Sequence, residues 1–228
     1  AIVAFDYMNY SDSYAGNDAS GLTEAMIAAK QEKNVILSAL FHWRAPSGNN
    51  EAGDGSFYTD GTSFNFATAL NDTTSDEYAQ LLNDIDTVAV ELLKLQAAGI
   101  PVLWRPLHEA EGGWFWWGAH GADALKELWV LMHDRMTNTH GLNNLIWIYT
   151  HTEGLGADWY PGDAYVDIVG FDGYASPRND PDAVFATQYR TLMERHNGKK
   201  MVALTETGTI PNIQLMHEQR AWWSFFIT

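Results

Sequence analysis

Val102-Leu103-Trp104-Arg105-Pro106-Leu107-His108-Glu109-Ala110-Glu111-Gly112-Gly113-Trp114-Phe115-Trp116-Trp117-Gly118 changes character twice along its length. It begins as an apolar run of strand length, and Pro106, with no N–H to give a ladder, sets the end of that strand close behind it. A histidine, two carboxylates and two glycines follow, the composition of a turn. Trp114 to Trp117 then crowd three indoles and a phenyl ring into consecutive positions. Neither helix nor strand points successive residues to one face, so some of these rings are expected at an open surface.

Upstream, Leu81, Leu82, Ile85, Val88, Ala89, Leu92 and Leu93 fall on one stripe of a 3.6-residue period. Thr74-Ser75-Asp76-Glu77 reads as a capping box at its start, and Gly99 stops the helix before Pro101. Residues 1–7 and 35–41 read as strands with a helix from about Leu22 to Glu32 between them. Arg44 to Asp72, rich in Gly, Asn, Asp, Ser and Thr, reads as a long irregular surface loop. Downstream, Leu125 to Met136 form an amphipathic helix, followed by strands at 145–149, 166–171 and 201–206. Asp180-Pro181 reads as the N-cap and first residue of a further helix, another is expected from about Ile213 to Trp222, and an apolar run closes the chain.

Strand and helix alternate, and the strands are continuous apolar runs, so the sheet is expected to be parallel and covered on both faces. An open doubly wound sheet and a closed (β/α)8 barrel both satisfy that pattern. The barrel is favoured because no Gly-rich phosphate loop follows a strand. In addition, Asp6, His42, His108 with Glu109, Thr150, Asp172 and Glu206 all fall at C-terminal strand ends, which meet in one ring at the top of a barrel. Seven strands are read where closure needs eight. The expectation is therefore a single α/β barrel domain over 1–228, with its first strand missing and its last cut short.

The chain has 228 residues, 46% of them hydrophobic, enough for one sizeable core. Its 29 acidic against 13 basic residues give a net charge of −16, which argues against nucleic acid, anionic membranes and polyanionic substrates and leaves neutral or cationic ones, among which a neutral polysaccharide fits. With no cysteine, disulfides, thiolate metal sites and cysteine nucleophiles are excluded. No run of about 18 apolar residues suggests a membrane span.

Glu109 and Glu206 end two different strands of the expected barrel. Glycoside hydrolysis uses two carboxyls facing across the scissile bond, one protonated to donate to the leaving oxygen and one ionised to attack or to activate water. Rings beside Glu109 suit the apolar faces of sugars and would raise its pKa by desolvation, while hydrogen bonds from a phenol or guanidinium would hold Glu206 ionised. A metal-dependent hydrolase built on His42, His108, Glu109, His151, Asp172 and Glu206 is the rival reading. It is disfavoured because His108 and Glu109 would diverge on a regular strand and no His-Glu-x-x-His pattern occurs. A non-catalytic sugar-binding barrel is a second rival.

Arg105-Pro106-Leu107-His108-Glu109, continuing to Gly113-Trp114-Phe115-Trp116-Trp117-Gly118, resembles the acid/base segment of glycoside hydrolase family 26, mostly mannan-degrading members of a retaining clan with (β/α)8 barrels. Leu204-Thr205-Glu206-Thr207-Gly208 resembles its nucleophile strand, Gly170-Phe171-Asp172-Gly173-Tyr174 its sixth-strand motif, and His42-Trp43 its third-strand histidine segment. The likeness begins at the family's second strand and ends inside its eighth. It implies Glu109 as acid/base and Glu206 as nucleophile, with retention. It further implies His108 bonding near the reacting sugar and the nucleophile, Tyr174 holding the nucleophile, and Asp172 and His42 on sugar hydroxyls. Trp114 would stack on the leaving-group side, Trp43 belongs to the same binding set, and charge logic puts Arg105 beside a carboxylate it keeps ionised. The implied activity is endo-cleavage of β-1,4-mannan, with β-1,3-xylan or mixed-linkage β-glucan as same-family alternatives. The implied protein is a secreted or cell-surface monomer, with neither cofactor nor metal.

Overall fold

The computed structural model describes residues 1–11, 21–50 and 55–228. Residues 12–20, between the first expected strand and the helix from about Leu22, lie outside them. Six strands, β1 (Ile2–Asp6), β2 (Ile36–Phe41), β3 (Val102–Pro106), β4 (Leu145–His151), β5 (Ile168–Gly173) and β6 (Met201–Thr207), pair in chain order, every pair parallel. They form a curled half-barrel of the α/β class. A seventh extended stretch runs beside β6: Leu204 bridges Phe226 in parallel sense, and the Leu204 and Thr207 amides donate to the carbonyls of Phe225 and Ile227 at 3.0 Å.

Helices α1 (Leu22–Lys33), α2 (Phe66–Asn71), α3 (Asp76–Ala97), α4 (Gly121–Asp134), α5 (Ala186–Arg195) and α6 (Ile213–Gln219) occupy the connections. In α3 Leu82 and Leu93 of the expected stripe are half-buried at its edges, while Leu81, Ile85, Val88, Ala89 and Leu92 are buried, joined by Leu95. Truncating one such leucine to alanine costs about 2–5 kcal/mol. On the opposite, inner face of the sheet, Leu103, Ile148, Ile168 and Ala203 form a separate small apolar cluster.

Several local expectations are corrected. Ser75 alone caps α3, accepting from the Tyr78 amide at 3.1 Å, while the Thr74 hydroxyl turns back to Asp72 at 2.7 Å, so no capping box forms. Asp180 and Pro181 do not start a helix. The Asp180 carboxylate closes a turn on the Asp182 amide at 3.0 Å, the Pro181 carbonyl accepts from Asn212 at 2.7 Å, and α5 begins only at Ala186. The supposed loop from Arg44 to Asp72 contains α2, capped by Asn65 and anchored by fully buried Phe66. α6 stops at Gln219 because Arg220 turns left-handed, at φ 57°.

Candidate active site

β3 ends at Pro106, so His108 and Glu109 lie beyond the strand and not on it. Leu107 and Glu109 both adopt left-handed backbone, at φ 49° and 54°, a conformation that costs a non-glycine residue on the order of 1 kcal/mol. Those two residues bracket His108 and swing the chain into a turn that buries His108 and leaves Glu109 half-buried. The turn is fastened from both sides. The Glu109 amide donates to the Thr150 carbonyl at 3.3 Å, and the Trp117 indole donates to the His108 carbonyl at 2.8 Å. Gly118 permits the tight return, since a Cβ there would stand 2.0 Å from the Ala110 carbonyl oxygen.

The four rings divide unequally. Phe115, Trp116 and Trp117 are buried, and Trp114 alone is open, at 44% exposure. Trp114 is thus the ring at the open surface, and short 3-10 turns on either side let the others pack inward despite their adjacency. Trp116 donates to the Trp43 carbonyl at 2.6 Å and so ties the Glu109 turn to the segment after β2. Trp43 is a correction too. Its ring is fully buried and its indole N–H is spent on Asp84 at 2.7 Å, which removes it from contact with any sugar and makes it a support for His42.

Arg105 stands at the centre. Its side chain is almost fully buried and reaches from β3 to Asp172 on β5, at 2.9 Å, and to Glu206 on β6. β5 and β6 set Asp172 opposite Glu206 through a register shift after Phe171. Tyr174 donates to the other Glu206 oxygen at 2.7 Å, and its ring is held under the Arg178 guanidinium, 3.8 Å from the centroid. Burial pushes the Glu206 carboxyl up, but the Arg105 charge and the hydrogen bonds from Tyr174 and Arg105 outweigh it and hold the group below its usual range. Glu109 goes the other way. Burial, then the charge of Glu206, raises it, opposed by the Trp114 indole donating to its Oε2 at 2.9 Å. Asp172 is raised as well, by burial first, against the pull of Arg105 and a Thr205 hydroxyl at 2.6 Å.

One oxygen each of Glu109, Asp172 and Glu206 lie within 4.8 Å of one another, a spacing that also suits a cation. The positive charge the chain itself brings there is the guanidinium of Arg105. Among the described residues, the group with metal-ligand spacing contains no histidine, contrary to the His/carboxylate cluster of the metal-hydrolase reading. His151 is turned to Glu111 instead.

His42 bonds Asp6 at 2.7 Å through Nδ1 and His108 at 3.2 Å through Nε2. His108 is held neutral by burial and by the nearby charges of Arg105 and His42, which push its pKa well below the usual value. Two open hollows flank the carboxylates. One of about 270 Å³ is bounded by Asp6, His42, Arg105, Tyr174 and Glu206. The other, of about 390 Å³, is bounded by Glu109, Trp114, Asp172 and Tyr174 together with Thr152, Glu153 and Gly154. A roomier hollow of about 590 Å³ between Ser47, Phe64, Thr68 and Asp72 is lined by none of these residues.

Sequence reasoning gave no role to Glu111. Its buried carboxylate accepts from His151 at 3.0 Å, from the Thr152 amide at 2.6 Å and hydroxyl at 3.1 Å, and from the Gly156 amide at 3.0 Å. It thereby pins the loop after β4 to the turn that carries Glu109. The one sequence signal was its place two residues beyond Glu109 in a glycine-rich turn.

The sequence profile of Glycosyl hydrolase family 26 matches residues 1–228. The chain belongs to this family. A mannan endo-1,4-beta-mannosidase of Thermothelomyces thermophilus is 45% identical over 230 residues, covering 99% of this chain and 46% of the relative. The crystal structure of the Podospora anserina GH26-CBM35 β-(1,4)-mannanase superposes with a TM-score of 0.91 at 43% identity, over 99% of this chain and 50% of that one. A β-mannanase from a symbiotic protist of the termite Reticulitermes speratus, complexed with a gluco-manno-oligosaccharide, does so with a TM-score of 0.86 at 35% identity, over 99% of this chain and 69% of that one. The family-26 chain described here thus spans about half the length of the curated relative it matches.

Proposed function

We propose that this family-26 chain carries the catalytic centre of a retaining endo-β-1,4-mannanase. The observation that carries the reading is the carboxyl pair: oxygens of Glu109 and Glu206 within 4.8 Å, with opposite pKa shifts. Double displacement uses carboxyls about 5–5.5 Å apart, whereas an inverting pair leaves about 6.5–9.5 Å for a water.

In the first step a Glu206 oxygen attacks the anomeric carbon while the glycosidic oxygen takes the proton of Glu109 and leaves as the free hydroxyl. The product is a glycosyl ester on Glu206. Glu109, now ionised, takes a proton from water, whose oxygen attacks the same carbon. Glu206 departs as the carboxylate, and the anomeric configuration is retained. Arg105 and Tyr174 keep Glu206 ionised before attack and accept its charge back afterwards. Asp172, itself anchored by the Thr205 hydroxyl, holds Arg105, so Asp172 acts as a positioning residue. Its buried carboxylate makes direct contact with sugar hydroxyls the weaker reading. His42, with Asp6 on its Nδ1 and buried His108 on its Nε2, lines the Glu206 side, and Trp114 takes the leaving sugar.

Mannan as substrate rests on the named relatives, with β-1,3-xylan and mixed-linkage β-glucan as the alternatives to be measured. No helix among the described residues is long and apolar enough to cross a membrane. Action on a polymer too large to enter cells makes a secreted or cell-surface protein the fitting form. The test is release of reducing sugar from mannan, xylan and β-glucan, with Glu109→Ala and Glu206→Ala beside the parent. Mannan should be turned over best, and each variant should lose at least about three orders of magnitude. Unimpaired turnover by either variant overturns the assignment.

A further inference from the structure

Beyond Trp114 the cleft wall continues through a segment that no part of the mechanism uses. Residues 57–59 are laced onto the ring-bearing turn by main-chain bonds. Tyr58 bridges Phe115 in antiparallel sense, and the Thr59 amide donates to the Trp114 carbonyl at 2.7 Å. The Thr59 hydroxyl donates to the Gly113 carbonyl at 2.7 Å, and the Trp116 amide to the Phe57 carbonyl at 3.1 Å. Tyr58 lies flat on buried Phe115, centroids 5.6 Å apart and planes 12° from parallel, yet stays 43% exposed. Its ring is thus held between Phe115 and Phe57, whose centroid lies 4.6 Å away, and still presents part of its surface outward.

Tyr58, Thr59, Asp60 and Trp114 bound an open hollow of about 460 Å³. Trp114 also bounds the hollow that contains Glu109. The indole thus stands between the two, with the reacting carboxyl on one side and Tyr58 on the other. Gly112 makes room for it there, because a Cβ at that position would stand 2.1 Å from the Trp114 ring. A flat, immobilised ring beside an exposed carboxylate is the pairing that takes a neutral sugar, its apolar face on the ring and its hydroxyls on the acid.

We propose that Tyr58 and Asp60 form a second leaving-side subsite, which stacks the sugar unit next beyond the one on Trp114. The proposal rests on the assignment of Glu109 as the acid facing the leaving group. Its occupant is the continuing polymer chain, since the hollow adjoins the catalytic one through a shared ring. An extra subsite on this side favours internal attack on a long chain over trimming of its end.

The experiment compares mannohexaose, long enough to reach Tyr58, with an aryl β-mannobioside, whose leaving group ends at Trp114. In Tyr58→Ala the ratio of kcat/KM for the hexaose to that for the aryl glycoside should fall roughly tenfold, the scale of one stacked ring. Tyr58→Phe should keep the parent ratio. Should Tyr58→Ala fail to fold, Tyr58→Leu keeps apolar cover over Phe115 without a flat face and should show the same fall. An unchanged ratio in Tyr58→Ala or Tyr58→Leu overturns the subsite. If the parent protein turns over neither mannoside, the proposed function has failed instead. The wall is then judged by calorimetric binding of mannohexaose and xylohexaose, where equal Kd values for parent and Tyr58→Leu overturn it.

Discussion

Replacing Tyr174 by phenylalanine removes one hydroxyl and leaves the ring under Arg178, so the perturbation is confined to the 2.7 Å bond to Glu206 Oε2. A hydrogen bond to a charged group contributes about 1.5–3 kcal/mol. The Glu206 side chain keeps 26% exposure, which puts the lower end of that range in force, and Arg105 still holds the other oxygen. At 1.36 kcal/mol per pKa unit, the Glu206 carboxyl should rise by about one unit. The sign follows from the chemistry. Tyr174 favours the ionised form, its removal favours the protonated form, and attack requires the ionised form. The acid limb of kcat/KM against pH should therefore move about one unit toward neutrality, while the alkaline limb, set by Glu109, moves much less. A pH profile on mannohexaose measures both limbs. An acid limb that stays in place, or moves to lower pH, would refute the claim that Tyr174 helps keep the nucleophile charged.

Trp114→Phe removes the indole bond that favours ionised Glu109, so the alkaline limb of the same profile should shift to higher pH, with some loss of affinity for the leaving sugar; a shift to lower pH contradicts this. Arg105→Met leaves fully buried Asp172 without its counter-charge. The expected cost is about 3–5 kcal/mol, or roughly 10 °C in thermal denaturation, together with near-complete loss of turnover. Glu111→Ala strands the Thr152 and Gly156 amides and His151, at about 2–4 kcal/mol. Its KM should rise more than kcat falls as the loop after β4 loosens, and Glu111→Gln should recover much of both the Tm and the KM.

Continuous apolar runs with polar ends were enough to read the parallel sheet and the gathering of Asp6, His42, Glu109, Asp172 and Glu206 at one rim, because each is a local pattern. The contact of Tyr174 with Glu206 was also legible through the resemblance, and charge logic put Arg105 beside a carboxylate, but the pairing of Arg105 with Asp172 was not, since Asp172 was expected on sugar hydroxyls. What escaped depends on partners far along the chain. Trp43 is drawn into the core by Asp84 on α3, which no motif around His42 reveals. Phe115 to Trp117 pack inward because two 3-10 turns break the alternation that a regular strand or helix would impose. Glu111 finds its donors on the loop after β4, and Tyr58 finds its stacking partner more than fifty residues away, so neither could be distinguished from ordinary loop residues. α2 is too short for a helical period to show, and Asp180-Pro181 forms a turn because the Pro181 carbonyl is claimed by Asn212.

The division of labour between the two glutamates is tested most directly by trapping the intermediate. A 2-deoxy-2-fluoro-mannosyl fluoride slows both steps and releases the good leaving group without need of the acid, so a glycosyl ester should accumulate. Peptide mass spectrometry of the inactivated protein should find one sugar on the peptide containing Glu206 and none on that containing Glu109. Labelling at Glu109 or elsewhere, or release of product with inverted anomeric configuration by NMR, would contradict the account.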